Sequence, residues 1–300
     1  MNASAAGPPW SRESAAALDG SRTPAIGPLV PLEAADPRIL AVTAAGQIAE
    51  ATGVARHDVA VVLGSGWAQA ADRLGETVAT LPASAVAGFP GTAVAGHLDA
   101  IRSVRGPGPT ARRVLVLGAR AHLYQGLGAA AVAHGVRTAA ACGCTVVVLT
   151  NGCGGLDPDR PPGTPVLISD HINLTGVSPV LDGRFLDLTD LYSPRLRDLA
   201  RAVAPDLAEG VYVQFPGPHY ETPAEVRMAG ILGGSLVGMS TALEAIAARE
   251  AGLEVLGLSL VTNLAAGISP TPLRHEEVVA AGQAAADRSA ALLAGVLAVL

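Results

Sequence analysis

The chain has 300 residues, half of them hydrophobic and 15% charged, with a formal net charge of -6; this is enough for one large buried core, and the acidic balance speaks against a nucleic-acid surface. Lysine is absent and arginine supplies all of the fixed positive charge, which excludes a P-loop lysine, a Schiff-base lysine and a lysine general base, and leaves any phosphate to arginine, histidine, hydroxyls and backbone N–H groups. No uninterrupted apolar stretch approaches the roughly 18–20 residues of a membrane span, and the N-terminus lacks the basic start and apolar centre of a signal peptide, so the cytoplasm is the expected compartment.

Residues 1–37 are rich in Pro, Gly, Ser and Ala without sustained periodicity and read as a flexible N-terminal tail, followed by one domain over 38–300. The segment "DPRILAVTAAGQIAEAT" predicts a first helix, opened by Asp with Pro next to it. "VAVVLG" (59–64), "RVLVLG" (113–118) and "TVVVLT" (145–150) predict strands, apolar on consecutive residues as strands covered on both faces are. "GAAAVAHGVRTAAAC" is the helix before the third of them. Further strands are "TPVLIS" (164–169), "GVYVQF" (210–215), "SLVGM" (235–239) and "EVLGLSLVT" (254–262). "SPRLRDLARAVA", "TPAEVRMAGIL" and "TALEAIAAREAG" read as helices between strands, and a terminal helix runs from Glu276 to the end. This alternation predicts a single α/β domain with a central, mostly parallel mixed sheet flanked by helices. Cys142, Cys144 and Cys153 match no zinc spacing and, being odd in number, no disulfide framework; small buried thiols are expected.

In open parallel sheets ligands bind beyond the carboxyl ends of the strands. After the first strand, "GSGW" (64–67) offers the Ser65 hydroxyl and two glycines that let the backbone approach an anion, although such a turn is more often only a tight connection. After the second come Arg120, His122 and Tyr124 at alternate positions, which in an extended chain project from one face. "TNGCGG" supplies backbone around Gly152, "PGPHYET" sets Tyr220 beside Glu221, "VGMST" brings Met239 and Ser240, and the last strand ends at Asn263. Ser65, Arg120, His122, the Gly152 region and Ser240 suit phosphate, while Tyr220, Glu221, Met239 and Asn263 give a stacking face, an acceptor and an amide for a heteroaromatic ring. A nucleoside together with inorganic phosphate fits that inventory. Arg120 weighs most, because a buried cation with no acidic neighbour in sequence needs an anion.

These segments, with "SDHINLTG" and "HEEVVAAG" besides, stand in the order and at the spacings of the trimeric, low-molecular-mass purine nucleoside phosphorylases, and the chain resembles that family over residues 38–300. The resemblance implies a phosphorylase-type α/β sheet, a homotrimer with sites near the subunit interfaces, no metal or organic cofactor, and inorganic phosphate as co-substrate. It implies Ser65, Arg120, His122, Ser240 and a backbone N–H near Gly152 as phosphate ligands, and His97, in "AGHLD", as the loop histidine that closes over phosphate. Tyr220 resembles the aromatic beside sugar and base, Glu221 and Asn263 the base-reading pair, Met239 and Tyr124 ribose contacts, and His275 the group near the 5′-hydroxyl. Phe185, in "DGRFLDLTD", resembles the aromatic that reaches the neighbouring subunit's site. The chain departs from the family pattern at Leu98, after that histidine, and at Gln125, where many members carry Glu.

The implied reaction is attack of phosphate on the anomeric carbon of a purine nucleoside through an oxocarbenium-like transition state, with His97, Glu221 and Asn263 as its catalytic groups and purine salvage as its setting. Glu221 would accept from N1–H, which only a 6-oxopurine carries, so inosine and guanosine are the expected substrates. A 5′-methylthioadenosine phosphorylase of the same fold and a non-catalytic nucleoside-binding protein are the alternatives; a dinucleotide-binding dehydrogenase lacks its G-x-G-x-x-G. His134 and His171 are expected to be structural, His57 to lie at the surface, and Met228 to belong to core or interface.

Overall fold

The computed structural model describes residues 36–90, 98–107, 111–269, 273 and 275–300. The expected tail over 1–37 lies outside the described residues except for its last two positions. Residues 35–300 form one unit. Helix α1 (Pro37–Thr52) starts where local chemistry dictates: the Asp36 carboxylate accepts from the Arg38 N–H at 2.8 Å, Pro37 takes the first turn, and Gly53 at φ +67° ends it. The same logic opens α4 (Pro194–Val203) on Ser193, α5 (Pro223–Ile231) on Thr222 with Glu225 reciprocating, and α6 (Ala242–Glu250) on Thr241 with Glu244. Two short helices, α2 (Gly128–Val132) and α3 (His134–Ala141), stand where one was expected, and α7 (His275–Val299) closes the chain.

The described strands are β1 (Val59–Val62), β2 (Glu76–Leu81), β3 (Ile101–Arg105), β4 (Arg113–Leu117), β5 (Val146–Gly155), β6 (Pro165–Asn173), β7 (Ala208–Gln214), β8 (Leu236–Gly238) and β9 (Glu254–Leu264). They form one mixed sheet in the order β2-β3-β4-β1-β5-β8-β7-β6-β9, and β5 pairs β9 as well, so the strands from β5 onward close into a ring. β1 runs parallel to β4 and β5, whereas β2 and β3 extend the far edge antiparallel. Side chains of β1 alternate between two apolar layers: Ala60 and Val62 join α1, α3 and α6, and Val59 and Val61 join Trp67, α4 and α7. Burial on both faces explains why this strand is apolar at every position.

β2 and β3 are absent from the sequence reading. β2 is exposed along most of its length and β3 carries two arginines, so their pairing comes from the edge of β4 rather than from their own pattern. One correction follows directly. His57, expected at the surface, is 1% exposed; its Nε2 pairs with the hydroxyl of Ser103, on β3, at 3.0 Å, and burial pulls its pKa down. His134 and His171 are structural as expected, bonded to the Ala87 carbonyl at 2.9 Å and the Tyr192 hydroxyl at 3.1 Å. Met228 is exposed on the single chain, which speaks against core and leaves the interface alternative untouched. The three cysteines are buried and unpaired, and burial pushes the thiols of Cys142 and Cys153 up to about 11 and 12. No described helix is long and apolar enough to cross a membrane.

Candidate active site

β5 continues past its partner. β1 stops opposite Leu149, and on the same edge β8 starts opposite Gly154, while β9 runs along the other edge throughout. Thr150–Cys153 therefore has one edge without a strand partner among the described residues, and a cavity of about 490 Å³ opens there, within the range of small-molecule sites. Its lining includes Ser65, Arg120, His122, Tyr124, Gly152, Tyr220, Glu221, Met239, Ser240 and Asn263, carried by β5 and β9 or by the segments that follow β1, β4, β7 and β8. Gly152 and Asn263, expected just beyond or at the tips of strands, lie inside β5 and β9.

Gly64 and Gly66 form the tight connection that such a turn most often is. A Cβ on Gly64 would stand 2.4 Å from the Thr150 carbonyl oxygen, and one on Gly66, at φ +83°, 2.9 Å from Leu260. Packing against β5 and the left-handed turn at Gly66 each leave no room for a side chain, whatever else the turn approaches. The turn still delivers Ser65, and Gly152 lies against it: a Cβ there would sit 3.1 Å from the Ser65 carbonyl oxygen.

Arg120 has no acidic neighbour in sequence, but the anion that a buried cation needs is supplied within the chain and is not left to a ligand alone. Glu244, distant in sequence, accepts from Arg120 Nε at 2.9 and 3.0 Å and from Nη2, and both side chains are almost wholly buried. Arg120 Nη1 also donates to the Thr150 carbonyl at 2.7 Å and Nη2 to the Thr241 hydroxyl at 3.0 Å. Of the five guanidinium N–H groups, four are taken up by described residues, which leaves one on Nη1. Thr241 is the hub of this corner: its hydroxyl also accepts from Asn151 Nδ2 at 2.9 Å and lies 3.2 Å from the Ser240 hydroxyl. Its backbone stands at φ +82°, ψ -52°, with the Ala242 N–H donating to the Ser240 carbonyl at 3.1 Å, a γ-turn of the rare, strained form.

The His122 and Tyr124 rings, both in the cavity lining, stack at 4.9 Å and 15°. The segment is extended only to His122; a 3₁₀ turn over Leu123–Gln125 then swings Tyr124 in, held by the Gln125 side chain accepting from the His122 N–H at 2.7 Å. Gly217, at φ +69°, lies so near Met239 and Tyr124 that a Cβ would meet them at 2.6 and 3.0 Å. Tyr220 is 38% exposed at the rim. Glu221 is buried, its Oε1 finds no hydrogen-bond donor among the described residues, and burial raises its pKa. Asn263 is oriented by Thr262, whose hydroxyl donates to Oδ1 at 3.1 Å, and by the Leu264 carbonyl, which accepts from Nδ2 at 3.0 Å.

Three further expected residues are not among the described lining. His97 lies outside the described residues, as does the side chain of His275, although His275 opens α7 and Val278, one turn later, lines the cavity. Phe185 is fully exposed on the loop before α4. Asn151, Thr241 and Glu244 were missed. The S/T-x-x-E spacing of Thr241 and Glu244 was legible as a helix cap, but nothing local says that the same carboxylate meets Arg120.

Such a sheet, with its cavity at the carboxyl ends, is that of the phosphorylase superfamily, whose family model matches residues 58–298. A purine nucleoside phosphorylase from Cellulomonas sp is 63% identical over 91% of this chain and 98% of its own length. Among solved structures, purine nucleoside phosphorylase of Schistosoma mansoni in complex with inosine superposes with a TM-score of 0.76 at 30% identity over 87% of this chain and 96% of that one. The same enzyme in complex with adenosine gives 0.77 at 30% identity over the same shares. The chain belongs to the purine nucleoside phosphorylases, which are pentosyltransferases.

Proposed function

We propose that this chain cleaves 6-oxopurine ribo- and deoxyribonucleosides with inorganic phosphate, giving free base and (deoxy)ribose 1-phosphate in purine salvage, without metal or organic cofactor, as a cytoplasmic homotrimer. The observation that supports it best is the buried Oε1 of Glu221, without a hydrogen-bond partner among the described residues, in a cavity shared with Asn263 and an oxyanion corner. A carboxylate oxygen there asks for a ligand N–H, and the N1–H of hypoxanthine or guanine supplies one. In this reading phosphate is held by Ser65, Arg120, His122, Ser240 and backbone near Gly152, with His97 closing over it. It attacks the anomeric carbon while Asn263 bonds the purine around N7 and O6, where negative charge builds. Tyr124, Met239 and Tyr220 flank sugar and base, and His275 meets the 5′-hydroxyl. Full exposure of Phe185, away from its own cavity, supports its insertion into a neighbouring copy's site.

The test is hypoxanthine release from inosine with and without phosphate, beside adenosine. Cleavage of inosine only when phosphate is present, with little adenosine turnover, is the expected result. Release without phosphate would make the protein a hydrolase, and no release would favour a nucleoside-binding protein. The adenosine arm is informative because a solved relative is bound to that nucleoside. Asn263→Asp is expected to raise the adenosine-to-inosine ratio of kcat/KM roughly tenfold or more, since a carboxylate at this position favours the 6-amino group over O6; an unchanged ratio removes Asn263 as a base reader.

A further inference from the structure

We propose that Glu244 is a positioning residue of the oxyanion site, holding the two phosphate donors Arg120 and Ser240 in register through a single carboxylate. The inference rests on the phosphorolysis proposed above and goes beyond it by naming a residue that does not itself line the main cavity.

Glu244 reaches both donors by short links. Its oxygens take the Nε and Nη2 hydrogens of Arg120 side-on, which fixes the plane of the guanidinium as a single-point contact could not. Oε2 also accepts from the Thr241 N–H at 3.0 Å, anchoring the γ-turn that follows Ser240. Arg120 Nη2 and Asn151 Nδ2 converge on the Thr241 hydroxyl, so guanidinium and turn are tied to each other as well. Nη1 lies against Gly64, the residue before Ser65. The pair is neutral as a unit, so Arg120 serves phosphate as an aimed N–H rather than as a loose cation, and aim is what the carboxylate supplies. A pair so deeply buried tolerates no swing of the guanidinium toward solvent.

The experiment uses the full chain with Glu244→Gln and, should that variant fold poorly, Thr241→Ala, which keeps the charge pair and removes the shared hydroxyl. KM for phosphate and KM for inosine are measured separately, together with the rise in Tm that inorganic phosphate alone produces, a readout that needs no catalysis. Glu244→Gln is expected to raise KM for phosphate roughly tenfold or more and to diminish the phosphate-induced Tm rise, with KM for inosine within about twofold. Thr241→Ala is expected to show the same selectivity at roughly threefold. Unchanged KM for phosphate in a folded variant, or equal rises in both KM values, would overturn the proposal. If the wild-type chain gains Tm from phosphate and the variants lose that gain, but inosine is not cleaved, the positioning stands and the phosphorolysis falls. Phosphate-dependent cleavage with an unmoved phosphate KM is the reverse.

Discussion

Glu221→Gln is expected to lower kcat/KM for inosine roughly 10- to 100-fold, the loss of a charge-assisted bond to N1–H. The loss for adenosine should be smaller, because the new amide can donate to adenine N1. The pH profile separates this from a packing defect. The carboxylate must be ionised to accept from N1–H, and burial raises its pKa above the ordinary glutamate range. Activity on inosine should therefore fall as pH drops through that raised value, and this acid limb should vanish in Glu221→Gln. Stability moves the other way. A folded-state pKa above the unfolded one means that the native protein binds the extra proton, so the ionised group costs stability above the folded pKa and the cost fades as pH falls. At neutral pH the variant should thus melt no lower than wild type while working worse, the signature of a group kept for function. A variant with a lower Tm and an unchanged acid limb would remove Glu221 from base recognition.

Gly64→Ala is expected to cost about 1–3 kcal/mol of stability and to raise KM for phosphate. The added methyl would stand 2.4 Å from the Thr150 carbonyl oxygen, 2.8 Å from Asn151 Cα and 2.8 Å from Arg120 Nη1. Two of these three atoms are backbone of β5, so relief requires the strand or the Ser65 turn to move, and either motion disturbs the oxyanion corner. Gly46→Ala is the control. It lies within α1 with nothing in reach of its Cβ, and should gain about 0.5–1 kcal/mol from helix propensity. Urea unfolding of both variants, with phosphate kinetics for the first, decides the matter. Equal and small effects would mean that Gly64 serves turn flexibility alone.

The arginine, histidine and tyrosine at 120, 122 and 124 illustrate how much of the site was legible. Their alternate spacing after an apolar strand announced a common target, and all three line one cavity. The route differs, because Tyr124 arrives through a 3₁₀ turn and not through continued extension. The weight placed on Arg120 as an unpaired cation was misplaced, since its partner lies on α6, far along the chain. His57 failed for a kindred reason: its partner Ser103 sits on β3, a strand whose own residues do not advertise it.

Local chemistry and periodicity govern the architecture. Apolar runs two faces deep, capped helices opening on Asp, Ser or Thr with Pro, and glycines and polar residues clustered after strands specify an α/β sheet with its site at the strand ends. Only the tertiary structure decided which of those polar groups are spent on one another and which remain for a ligand. Arg120 is largely committed to Glu244, Thr150 and Thr241, whereas Glu221 keeps an oxygen that no described residue pairs. Satisfaction of a buried polar group depends on every element packed around it, and the partners here are brought together by the sheet order β4-β1-β5-β8, which sets Arg120 after β4 near Thr150 on β5 and Thr241 after β8, across separations no window of sequence spans.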